Sequence, residues 1–277
     1  MTPLCEANLE CLPPRVSPPG YDRRALRSGV AHLSVGSFHR SHQAVYFDDL
    51  ARDGERDWGL VGIGVRRPRL RAALSAQNGL YTVVARGPGG DEARVVGAMT
   101  NYLFAPEDAA GTLDVLVDER TALVTLTITG NGYELDAEPG SQPSTALGYL
   151  VEALDRRRQL GRAPFTVLSC DNLPGNGTVA RDAVVGFAGL RDERLATWIE
   201  RNVAFPSSMV DRITPQTTAA DRAAVARDFG VIDRCPVITE PFSQWVLEDR
   251  FCNRRPPLDL VGAQFVEDVT PYALVKT

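Results

Sequence analysis

A chain with 30 basic residues contains a single lysine, Lys276. A guanidinium does not give up its proton under ordinary conditions and an amine can, so a lone retained lysine marks a candidate general acid/base for a hydroxyl group. The plain alternative is a chance surface lysine. Ser169-Cys170-Asp171-Asn172 follows a compact apolar run, and Asn172 can donate through its side-chain amide to a carbonyl or alkoxide oxygen. The alternative there is an Asx turn, with Pro174 and Gly175 as ordinary turn residues. Asp211 stands beside Arg212 inside the apolar stretch Val210–Ile213, as a substrate contact or as half of a structural ion pair.

Other residues suit anions. The first apolar run ends in Ser34-Val35-Gly36-Ser37-Phe38-His39-Arg40, the position where a dinucleotide-binding fold places its glycine turn so that pyrophosphate meets backbone N–H groups. One glycine of the usual three is present, and an ordinary strand-to-helix turn is the alternative. The second run ends in Val65-Arg66-Arg67-Pro68-Arg69-Leu70-Arg71, where an acidic residue would hold the adenosine ribose hydroxyls. A guanidinium cluster there suits a 2′-phosphate instead, unless it is simply a solvated basic helix start. All three histidines, His32, His39 and His42, fall in one short window. No convergent Cys/His/Asp set at ligand spacing accompanies them, so the expectation is helix-start residues near a phosphate and no metal.

The elements that must position these groups read as β-rich apolar runs alternating with helical patterns: strand 30–36, helix 41–53, strand 58–65, helix 70–77. That βαβα opening predicts a parallel sheet. A hairpin of 80–86 and 93–100 around the Gly-Pro-Gly-Gly turn at 87–90 follows, then helix 106–119 and strand 122–129. A Gly/Pro/Ser-rich loop at 138–144 precedes helix 145–160 and strand 165–169; helices at 178–190, 192–202 and 219–229 and strands at 209–213, 237–240 and 262–266 complete the pattern. Residues 1–29, with Pro13, Pro14, Pro18 and Pro19, read as an irregular arm, and 30–277 as the dinucleotide-binding domain. The last residues stop inside a continuing element, which reads as a fragment.

Composition narrows the classes. At 277 residues, 44% hydrophobic and 23% charged, the chain is globular and can bury a sizeable core. A net charge of −5 disfavours a nucleic-acid binder. No apolar run approaches the ~20 residues that span a bilayer, and Glu6 and Glu10 sit where a secretory signal would be basic and then apolar, so a cytoplasmic place is expected by default. Five scattered cysteines read as reduced thiols.

Taken together, the segments HLSVGSFHRSHQAVY (32–46), WGLVGIGVR (58–66), FTVLSCDNLPGNG (165–177), FPSSMVDRITP (205–215), EPFSQWVLED (240–249) and VEDVTPYALVK (266–276) resemble the polyol-specific long-chain dehydrogenase/reductase family. That family contains mannitol 2-dehydrogenases together with fructuronate and tagaturonate reductases and arabinitol dehydrogenases. The resemblance runs from about Val30 to Lys276. It implies an α/β, Rossmann-type doubly wound, mostly parallel sheet with helices on both faces, followed in relatives by a helical substrate domain. It also implies zinc-free hydride transfer between a nicotinamide and a polyol or ketose. By resemblance Lys276 is the general acid/base, Asn172 belongs to the oxyanion site, Asp211 lies near the substrate, and Gly36, Ser37, Phe38 and Arg40 form the cofactor loop. His39 within that loop, with Arg66 and Arg69, completes the expected cofactor contacts.

Departures from the family pattern are Ser34 at the first glycine, Arg69 at the acidic ribose contact, Gly130 at a frequent glutamate, Ala273 at a glutamate three residues before the lysine, and a shorter loop after Tyr133. Arg69 adds NADP to NAD as an expected cofactor. The small-molecule partner is a polyol or ketose of the mannitol/fructose kind, or alternatively a hexuronate, for which a cationic group would be needed. A nucleotide-binding module without catalysis is the reading from another class. The helical domain that completes the site in relatives lies beyond Thr277, so the chain by itself is expected to bind cofactor weakly and turn over slowly or not at all.

Overall fold

A computed structural model describes residues 1–134 and 143–276. Its centre is five strands, β1 (Ser28–Leu33), β2 (Gly59–Gly64), β3 (Met99–Phe104), β4 (Leu123–Leu126) and β5 (Thr166–Ser169), in the order β3-β2-β1-β4-β5 with every neighbouring pair parallel. β2, β4 and β5 are buried at every position, as a parallel sheet covered on both faces requires. On one face Leu33, Ile63, Leu126 and Val167 pack with helices Ala109–Val117, Ala146–Gln159, Asn176–Gly189 and Glu193–Asn202. On the other, Val30, Leu60, Leu123 and Leu168 meet Phe47, Leu50 and the fully buried Trp245. Each such large side chain contributes about 1.5–3 kcal/mol on leaving water.

Local chemistry sets the element ends. The hydroxyl of Thr145 accepts from the Gly148 N–H at 3.1 Å and so starts helix Ala146–Gln159. At Gly177 a Cβ would stand 2.6 Å from the Phe205 carbonyl oxygen, so only glycine lets helix Asn176–Gly189 seat this closely on the chain before Ser208–Asp211. Strand order reverses between β1 and β4, and in such sheets the crevice at the carboxyl ends of these strands is where ligands bind.

Several elements differ from the sequence expectation. The helix expected over 41–53 is two helices, α1 (Ser37–Ser41) and α2 (Gln43–Arg52), separated by His42 at φ −114, ψ −89. The hairpin is Tyr81–Gly87 against Gly90–Val96, and its second arm ends early: Gly97, wedged against Pro19, donates its N–H to Asp48 at 2.8 Å. Residues 99–100, assigned to that arm, instead open β3 at the sheet edge. Strand Gln244–Glu248 was not anticipated; it pairs antiparallel with Ser208–Asp211 and parallel with Gln264–Val266. Within 1–29, Thr2–Pro3 pairs with Val231–Ile232 and Val16–Ser17 with Ala93 and Arg94, burying Leu4 and Val16. The loop expected at 138–144 lies, through residue 142, outside the described residues. All five cysteines are free thiols, and among the described residues no helix is long and apolar enough to cross a membrane.

The three histidines are buried under the crevice. His32 bridges Thr125 and Thr127 hydroxyls at 2.8 and 3.0 Å, and its ring stacks on His39 with centroids 3.4 Å apart. Burial pushes His32 and His42 down from 6.5 to about 3, and drives His39 well below its ordinary value. The folded histidines are therefore neutral while the unfolded chain protonates them near pH 6.5, so the unfolded state binds more protons throughout the window between those values. Stability is complete above about pH 6.5 and falls on acidification by about 1.4 kcal/mol per pH unit for each of His32 and His42, down to about pH 3, with buried His39 adding to the loss in the same direction. Urea unfolding at pH 7 and pH 5, above most carboxylate titration, should show that loss; equal stabilities would contradict it.

Ser34, immediately after β1, sits at φ +76, where a side chain costs about 1–2 kcal/mol. Ser34→Gly should leave stability unchanged or raised in chemical denaturation. Ser34→Val, β-branched at the same angle, should lower it by about 2 kcal/mol; a valine variant as stable as the parent would refute the strain.

Candidate active site

Two adjoining cavities occupy the crevice, of about 500 and 530 Å³, and both are bounded by Ser34, Val35, Gly36 and Ser37. The first collects the chemistry. Strand Ser208–Asp211 brings Asp211, the turn after β5 brings Asn172, and helix Thr270–Val275 ends at Lys276. The Lys276 ammonium donates to the Val210 carbonyl and, at 3.2 Å, to Asn172 Oδ1, and lies 3.8 Å from Asp211 Oδ1. With its oxygen occupied by lysine, the Asn172 amide retains its two N–H donors for another oxygen. Three residues separated by up to 104 positions thus meet at one point.

The turn carrying Asn172 is held by Asp171, a buried carboxylate. It accepts the N–H of Ile128 at 3.1 Å, the N–H of Thr129 at 2.9 Å and the Tyr133 hydroxyl at 2.7 Å. Burial first, and then this carboxylate, raise the Tyr133 phenol above its usual range. Thr129 also lines the cavity at φ +64, an outlier for a β-branched residue that the two-pronged grip of Asp171 on the backbone sustains. Sequence reasoning singled out Asn172 and passed over Asp171 beside it. The signal was present in a charged residue at the end of a buried strand. Cys170, on the same wall, is inert: burial first and Asp171 second push its thiol up, out of the range where a thiolate forms.

The cofactor-loop residues divide. Gly36, Ser37, Phe38 and His39 line the first cavity. Gly36 is extended at φ −124, and a Cβ there would meet nothing within 4 Å. The protein itself does not require glycine at this point; a ligand backbone lying against it would. That open cradle at the crevice is what a dinucleotide pyrophosphate needs, so the residues present fit a nicotinamide dinucleotide. His39 is fully buried, and both its ring nitrogens lack a partner among the described residues. Arg40 borders the second cavity but is buried. It donates to the Cys235 carbonyl and lies 5.2 Å from the Tyr81 ring centroid, which anchors α1. Arg66 and Arg69 are exposed on the second cavity, beyond the end of β2, where Arg222 and Arg234, which the sequence did not mark, join them. Among the described residues no group of three His, Cys, Asp or Glu is placed to hold a metal ion.

Residues 28–260 match the family model described as the mannitol dehydrogenase Rossmann domain. A mannitol 2-dehydrogenase of Cereibacter sphaeroides is 47% identical over 94% of this chain and 58% of its own length. One from Aspergillus clavatus is 42% identical over 92% and 55%. Among solved structures, Pseudomonas fluorescens mannitol 2-dehydrogenase in ternary complex with NAD and D-mannitol superposes with a TM-score of 0.94 at 41% identity, covering 99% of this chain and 60% of that one. A substrate-free D-sorbitol dehydrogenase does so with the same TM-score at 40% identity, covering 100% and 61%. The chain spans little more than half the length of the curated relatives it matches. It has the Rossmann-type α/β fold, and it belongs to the mannitol dehydrogenase family.

Proposed function

We propose that the protein oxidises a secondary alcohol of a polyol, of the mannitol type, to the ketose, and reverses the reaction, with a nicotinamide dinucleotide lying across the crevice. The observation that carries this reading is the meeting of Lys276, Asn172 and Asp211 in the cavity that Gly36 shares with the cofactor loop. When bound, the nicotinamide supplies the hydride acceptor. Lys276 takes the hydroxyl proton, a role open to an amine and closed to guanidinium. Asn172, oriented by its contact with Lys276, donates an amide N–H to the oxygen as negative charge grows on it. Asp211 and the Val210 carbonyl fix the position of the amine. Buried apolar neighbours such as Val210 limit water at the reacting end.

A neutral polyol needs no further cation in this cavity, whereas a hexuronate carboxylate would take one from residues outside it. Besides Lys276, the only cation lining it among the described residues is Arg212, whose N–H groups donate to the Ser41 and Glu240 carbonyls. Either NAD or NADP is accommodated by the shared cradle, and Arg69 on the second cavity supports the phosphorylated form. Beside Lys276, Val275 is 85% exposed, and Ile213 is 67% exposed. By our reading the further length found in relatives covers this edge and completes the substrate site.

Lys276→Arg in the intact protein tests the central role. It keeps the charge and most of the volume but removes a group able to lose a proton. Mannitol-dependent reduction of the nicotinamide, followed by absorbance, should fall by about 10²-fold or more in kcat, while cofactor titration shows binding retained. A variant within a few-fold of the parent would reject Lys276 as the acid/base. Inactivity of the parent on mannitol with activity on fructuronate would select the hexuronate reading.

A further inference from the structure

The second cavity is lined by Arg40, Arg66, Arg67, Arg69, Arg222 and Arg234, and by no aspartate or glutamate among the described residues. Five of these are exposed, and among the described residues the side chains of Arg66, Arg67, Arg69, Arg222 and Arg234 make no ion pair or hydrogen bond. Many other guanidinium groups of this arginine-rich chain pair with carboxylates, as in Arg27–Asp57 at 3.1 Å and Arg255–Asp249 at 2.8 Å. Even Arg71, two residues beyond Arg69, is paired, with Glu107. Like charges gathered round one concavity raise its potential and repel each other unless an anion enters.

Arg222 and Arg234 come from a part of the chain distant from the Arg66–Arg69 run, and both are held on rigid backbone. Arg222 lies in helix Ala219–Phe229, whose start is closed by a reciprocal Thr218–Asp221 capping box. The Arg234 N–H donates to Gln77 Oε1 at 2.6 Å. Buried Asp233 is gripped by Gln77, by the Thr82 N–H and hydroxyl, and by the Cys235 N–H. The backbone is thus fixed on both sides of a side chain that has no protein partner among the described residues, which is the arrangement of a preorganised ligand contact.

We infer that Arg222 and Arg234 are specificity-determining residues that, facing Arg66, Arg67 and Arg69 across this cavity, clamp a phosphomonoester, the 2′-phosphate of NADP(H). The inference rests on the proposed placing of the dinucleotide in the crevice. A ligand whose pyrophosphate crosses Gly36 and whose nicotinamide reaches Lys276 has its adenosine end in the other cavity bounded by Gly36. An unmodified ribose diol calls for a carboxylate acceptor, and that lining has none. A phosphate dianion matches several forked guanidinium donors at once.

The test is fluorescence titration of the intact protein with NADH and NADPH, for the parent and for Arg222→Ala/Arg234→Ala, with thermal unfolding confirming that both are folded. The parent should bind NADPH about tenfold or more tightly than NADH, and the double variant should lose most of that ratio, as expected for charge-assisted bonds. Adenosine 2′,5′-bisphosphate should displace NADPH far better than inorganic phosphate does. Equal affinities of the parent for the two cofactors, or an unchanged ratio in the folded double variant, would overturn the clamp and leave the crevice reading intact. Inorganic phosphate competing as well as the bisphosphate would replace it with a free-phosphate site. Binding of neither cofactor would instead defeat the crevice reading, and the clamp with it.

Discussion

The chain must leave β1 and enter α1 in three residues while keeping the space above the turn clear, and the rest of the site depends on that turn. Ser34 accepts a left-handed backbone to reverse direction, its N–H donating to the Ile63 carbonyl at 2.8 Å and its carbonyl accepting the Thr127 hydroxyl at 2.9 Å. Those two bonds tie the turn to strands on either side of β1. Gly36 then presents bare backbone at the boundary of both cavities. The buried histidine stack lies beneath, neutral because no water reaches it, so the floor of the crevice carries no charge that would compete with groups above it.

From this turn the two ends of the crevice take opposite characters. At one end a single amine is held by a carbonyl, an amide and a carboxylate, the fittings of proton transfer. At the other, arginines without counterions among the described residues line the wall. The sharing of labour between lysine and arginine follows from their chemistry. Arginine also serves as a structural fastener: fully buried Arg157 donates to the carbonyls of Leu116, Ala163 and Thr121. Burial there drives its guanidinium down to about 10. The one lysine stands where our proposal calls for a movable proton.

Much of this was legible in the residues. Apolar runs punctuated by turn residues give four of the five parallel strands, β3 being folded into the expected hairpin arm, and the order of landmarks gives the family. The isolation of Lys276 among arginines singled out a residue that the fold sets beside Asn172 and Asp211. What escaped was non-local. The end of the hairpin arm at Val96 depends on Pro19 and Asp48, brought up from distant sequence. The break at His42 answers packing against Trp245 and a bond from its ring to the Gln244 carbonyl at 2.8 Å. Arg222 and Arg234 look like ordinary surface arginines until the fold sets them on the same cavity as Arg66 and Arg69. Asp171 was hidden by its neighbour, because its role is to hold backbone N–H groups of a strand end some 42 residues away.

The account stands or falls on a ligand backbone crossing Gly36. The most direct measurement is the cofactor dissociation constant of Gly36→Thr in the intact protein. Threonine caps a helix about as well as glycine, and the extended backbone there accepts a β-branched residue. Nothing lies within 4 Å of the new Cβ, so folding should be untouched. The account predicts an unchanged thermal midpoint with cofactor affinity lowered by about tenfold or more, because the side chain fills the pyrophosphate cradle. A folded variant that binds as tightly as the parent would contradict it.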